Sequence, residues 1–94
     1  MKINTKIPVL TLSGKPYKGA EDKDLTLGDV LMESLAGSKV GGKMKMYALI
    51  DLISKNDVVS VDAADIVMIK KAVEESNYNN IVAGQVLLEL EAIK

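Results

Sequence analysis

The sequence predicts a small α+β domain, mostly α: a short N-terminal β-hairpin followed by three to four helices around an aliphatic core. Two observations carry this expectation. Residues 2–12 alternate with period two, whereas most of the chain after residue 25 places apolar residues at 3.6-residue spacing. The composition agrees with it. Hydrophobic residues make up 48 % of the 94, yet Phe and Trp are absent and Tyr17, Tyr47 and Tyr78 are the only aromatics. Such a core is built from Leu, Ile, Val, Ala and Met, with Met filling irregular gaps. A length of 94 residues corresponds to one domain, 1–94, in which 1–24 form the hairpin and a charged loop and 25–94 the helical part.

In KINTKIPVLTL (2–12), Ile3, Thr5 and Ile7, then Val9 and Thr11, read as strand. Pro8 has no N–H to donate and puts this strand at an edge or breaks it. Ser13-Gly14-Lys15-Pro16 is turn chemistry, and Tyr17 begins a short return. KGAEDKD (18–24) is charged and poor in apolar residues, as a solvated loop is. Thr26 then caps a helix over 26–36, with Asp29 approximating the partner of a capping box. Leu27, Val30, Leu31, Ser34 and Leu35 share its inner stripe, and Gly37 closes it as a C′ glycine. In KMKMYALIDLISKND (43–57), Met46, Leu49, Ile50 and Ile53 form the second stripe, with Tyr47 beside it. VVSV (58–61) is a short β-like run. Asp62 caps the third helix, with Asp65 at the matching position and Ile66, Ile69 and Val73 inside. Ser76-Asn77-Tyr78-Asn79-Asn80 is a turn. The last helix, 81–93, is apolar nearly all round, which predicts that it is the most buried element. Three other helices of this size hardly cover it, so self-association is expected, through Val82, Val86, Leu87, Leu90 and Ile93.

Composition excludes several chemistries. The 12 basic residues are all Lys and balance 13 acidic ones, for a net charge of −1. Without Arg, the residue suited to bidentate recognition of phosphate and guanine, a nucleic-acid partner is disfavoured. Cys and His are absent, which removes thiolates, disulfides, imidazole bases and nearly all zinc or copper chemistry. No apolar run approaches membrane-spanning length, and MKINTKIPVL lacks the apolar stretch of a signal peptide. These features predict no membrane association and a cytoplasmic location.

GSKVGGKM (37–44) matches the glycine and lysine spacing of a phosphate-cradling loop. Such a loop follows a strand and requires Ser or Thr after the lysine. Here a helix precedes it and Met44 occupies that position, so the stretch reads as a connection between two helices. Lys39, Lys43 and Lys45 near the next helix N-terminus remain candidates to contact an anion or an acidic partner, with Tyr47 and Tyr78 available to stack on a base or ring. DLISKNDVVSVD (51–62) lacks the alternating acids and central glycine of a calcium loop. The serines have no histidine to activate them. No catalytic residue, metal site or cofactor is expected, and the chain is not predicted to be an enzyme.

Four fragments together resemble a family of small tailed-bacteriophage and prophage proteins. They are the GKP turn (Gly14-Lys15-Pro16), the LTLG helix start (Leu25-Thr26-Leu27-Gly28), Asp65-Ile66 with Ile69-Lys70, and Val82 with Gly84-Gln85. A compact GSKVGG stands where that pattern has a longer charged linker. The resemblance implies a phage or prophage origin and a location in the host bacterial cell; it carries no catalytic residues. The expected function is a non-catalytic accessory protein that binds a host protein, including a defence protein, or a phage protein, as a homo-oligomer. The alternatives are a virion structural or assembly component, such as a head–tail or tail-chaperone part, and a binder of a small anionic ligand such as a nucleotide.

Overall fold

The structure, a computed structural model, describes residues 1–19, 23–39 and 42–93. Three of its four helices begin on a side chain that satisfies an otherwise unpaired backbone N–H. Helix α1 (Leu27–Gly37) starts at Thr26, whose hydroxyl accepts from the Asp29 N–H at 3.3 Å while the Asp29 carboxylate accepts from the Thr26 N–H at 3.0 Å. Helix α2 (Lys43–Lys55) starts at Gly42 without a side-chain cap. Helix α3 (Ala63–Glu74) repeats the reciprocal cap with Asp62 and Asp65, and α4 (Asn80–Glu91) starts at Asn79, whose side chain accepts from the Val82 N–H.

Strand β1 (Lys2–Asn4) pairs antiparallel with β2 (Val58–Ser60), with Ile3 opposite Val59 and both side chains buried. Single hydrogen bonds extend the ladder at either end, from the Thr5 N–H to the Asp57 carbonyl and from the Val61 N–H to the Met1 carbonyl, both 2.8 Å. The fold is α+β and mostly α. Within the N-terminal stretch, regular strand stops at Asn4 instead of running to residue 12. The Thr5 hydroxyl lies 3.0 Å from the carbonyls of both Asn56 and Asp57, and Pro8 three residues on cannot donate.

The predicted turn forms around Gly14, whose φ of +83° belongs to the left-handed region that glycine adopts without cost. The Thr11 N–H reaches the Lys15 carbonyl at 2.7 Å, and Leu10 bridges Pro16. From there the chain closes a ring of three backbone hydrogen bonds. The Val9 N–H donates to Leu25, Leu25 to Tyr17, and Tyr17 back to Val9, at 2.7–2.9 Å. Three extended segments thereby satisfy one another without forming a regular sheet. Lys18 and Asp24 close the outer end at 2.7 Å; residues 20–22 of the charged loop lie outside the described residues.

This irregular N-terminal layer lies against the start of α1. The Leu27 N–H donates to the Ile7 carbonyl and the Gly28 N–H to the Thr5 carbonyl. A Cβ on Gly28 would stand 2.9 Å from the Thr5 Cβ and 3.0 Å from its carbonyl oxygen, so only glycine permits this approach. On the far side, the Gln85 side chain of α4 holds the Leu10 backbone in both directions, accepting its N–H at 2.9 Å and donating to its carbonyl.

The core runs through all of these elements, from Ile3 and Val9 through Leu31, Leu35, Leu49, Ile53 and Ile69 to Val86 and Leu90. Helix α1, not the last helix, is the most buried element, because α1 packs on both α2 and α3 whereas α4 packs chiefly on α3. On α4, Leu88 is 71 % exposed. Gly37 is also placed differently from the expectation. It belongs to α1, and Ser38 caps the helix in an extended conformation (φ −78°, ψ 147°), so no left-handed residue closes it.

Candidate functional site

Helices α1 and α3 end side by side, and a cleft of about 530 Å³ opens between their C-termini. Glu33, Ser34, Gly37, Ser38 and Lys39 line it from the α1 side, and Ala72, Glu75, Ser76, Asn77 and Tyr78 from the α3 side. Both helices therefore present the negative ends of their dipoles here. The Tyr78 hydroxyl donates to the Glu33 carboxylate and ties the turn after α3 to α1. Burial pushes the Tyr78 phenol well above its ordinary range, and the hydrogen bond to Glu33 and the charges of Glu33 and Asp29 push in the same direction. Tyr78 is thus a neutral donor at any physiological pH.

Ser34 stands in the inner stripe of α1 and is 5 % exposed. Its Oγ is buried with no hydrogen-bond partner. A buried hydroxyl without a partner carries an unrecovered desolvation cost of about 1–3 kcal/mol. Ser76, by contrast, donates to the Val73 carbonyl at 2.6 Å. The Glu75 carboxylate makes no ion pair among the described residues.

The residues read from sequence as partner or anion contacts fall in separate places. Lys39 and Tyr78 both line the cleft. Lys43 and Tyr47 are exposed on α2, Tyr47 at 72 %. Lys45 is paired with Asp65 at 3.0 Å, across from α2 to the cap of α3. The hydrogen bond and charge of Asp65 raise the Lys45 ammonium above its usual range. Burial alone would raise the Asp65 carboxyl. The hydrogen bonds from Lys45 and the Asp62 backbone, with the Lys45 charge, outweigh burial and hold it below the carboxylate range. Lys45 thus locks α2 to α3, and this pairing offsets the lysines placed unfavourably at an uncapped helix start.

Of the residues expected to face a second copy, Val82, Val86 and Leu90 fill the chain's own core, and Leu87 and Ile93 pack partly buried against it. Leu88 is the large apolar side chain that α4 leaves to solvent. With Ile7, Pro8 and Gln85 it lines a second cleft of about 140 Å³.

No family model, curated protein or solved structure matches this chain. Among the described residues, no group of three or more acidic side chains is placed to hold a metal ion, and no helix is long and apolar enough to cross a membrane.

Sequence reasoning missed Glu33, Ser34 and Glu75 as members of one site. The legible signal was Ser34, a hydroxyl at a position where the period of α1 calls for an apolar residue. The convergence of two helix ends depends on packing and has no local signature.

Proposed function

We propose that the chain is a non-catalytic binding protein of the tailed-phage or prophage kind, acting through a protein partner that docks on the outer face of α2. The observation that supports this reading is the pair Met44 and Tyr47. They lie one turn apart and are 88 % and 72 % exposed, on a helix whose opposite face buries Met46, Leu49 and Ile53. Large apolar and aromatic side chains held in water on a rigid helix are the residue types enriched at the centres of protein interfaces. Lys43 beside them favours an acidic rim on the partner.

The test is capture from a bacterial host lysate with the intact chain and with Tyr47→Asp. A partner retained by the natural chain and lost by the variant, at unchanged thermal stability, is the expected outcome. Identical capture by both sinks this assignment of the surface.

Self-association is the second reading, and exposed Leu88 beside the small apolar cleft favours it. Light scattering across roughly a hundred-fold range of protein concentration reads it directly, because mass action shifts oligomer populations with concentration.

A further inference from the structure

We propose that the cleft between the C-termini of α1 and α3 is a binding site for an organic cation, an ammonium or guanidinium group that donates N–H bonds. Three independent features of the cleft point the same way. The first is the sign of its field, since two helix C-termini, Glu33 and Glu75 line it and, among the described residues, Lys39 is its one opposing charge. The second is the Ser34 Oγ, buried and unpartnered in the cleft wall, which a ligand N–H would satisfy. The third is size. A volume of about 530 Å³ suits a small organic molecule or an extended side chain, and the acids present are too few to enclose a bare metal ion.

Each wall group then has a definite task. Glu33 is already fixed by Tyr78 through one oxygen, which leaves its other oxygen oriented and free to accept. Glu75 supplies the second charge-assisted acceptor. Lys39 sits at the rim as an opposing charge and weakens cation binding. The sign of its effect separates this site from the anion site that its lysine alone suggests. The site uses no residue of the α2 face and does not depend on that face being an interface.

Amide-resolved NMR titration of the full chain tests the proposal, with putrescine as a free diamine, N-acetyl-arginine amide as a protein side chain in solution, and inorganic phosphate as the opposite charge. Saturable shifts at the amides of Gly37, Ser38 and Asn77 with a cation are expected. The probe that produces them tells a free amine from a partner's basic side chain. Lys39→Ala is expected to tighten that binding, and Ser34→Ala and Glu75→Gln to weaken it, each roughly ten-fold in Kd. Ser34→Ala should keep or raise Tm, because it deletes a buried unpaired group, whereas a merely structural serine would leave binding untouched. Glu75→Gln changes an exposed residue and keeps the test decisive if Ser34→Ala perturbs the fold. No saturable shift with either cation, or shifts with phosphate that Lys39→Ala abolishes, would overturn the proposal.

Discussion

At the scale of single residues, the glycines of this chain differ in what they are for. Gly14 supplies a left-handed backbone, whereas Gly28 supplies space against Thr5. Alanine at Gly28 would be overpacked against the Cβ and carbonyl of Thr5, a residue held by its bonds to Asn56 and Asp57, a cost of roughly 1–3 kcal/mol. The gain in helix propensity, about 1 kcal/mol, does not cover it. Gly28→Ala is therefore expected to lower stability in urea denaturation, while Gly37→Ala, with no atom within 4 Å of its new Cβ, should leave it unchanged or higher. The LTLG stretch showed Thr26 and Asp29 as a cap because capping is local. It could not show why position 28 is glycine, because the reason lies 23 residues away at Thr5. Ser34 illustrates the same limit. Its polarity within an apolar stripe is visible in sequence, but its lack of a partner is a property of the packed neighbours.

At the scale of elements, the helices were legible and their relations were not. Periodicity and caps located four helices and their inner faces, and the structure buries Leu27, Val30, Leu31, Leu35, Met46, Leu49, Ile53, Ile66, Ile69 and Val73 as those stripes require. Which helix lies deepest depends on how many neighbours it has, and uniform apolarity made α4 look more buried than α1. The N-terminal layer depends on a similar long-range relation, since the Gln85 amide substitutes for a neighbouring strand along Leu10. Gln85→Ala removes both bonds and leaves Leu10 with unpaired groups, a loss of about 1–2 kcal/mol. Hydrogen exchange is the discriminating measurement. The amides of Leu10 and Tyr17 should exchange faster while those of α1 keep their protection, as local opening predicts. Uniform acceleration throughout the chain would show instead that this layer and the helices open together.

At the scale of the molecule, α4 carries two leucines with opposite expected behaviour. Leu90 is 1 % exposed and Leu88 is 71 % exposed. Leu90→Asp places a charge in the chain's own core, at a cost of about 4 kcal/mol or more, which is a large share of the stability of a domain of this size. Leu88→Asp should keep the melting temperature within a few degrees and act only on contacts with other molecules. Circular dichroism of the two variants, with light scattering of the second, separates core from surface on one helix. The pairing of β1 with β2 has a consequence for how the chain comes to be folded. Ile3 finds its partner only at Val59, so during synthesis the first strand has no ladder to join until the residues up to Val59 have left the ribosome. Closing so long a loop is costly and slow compared with forming a local helix pair. Helices α1 and α2, whose contacts are nearer in sequence, can dock first, and the leading residues then close the structure as its final clasp.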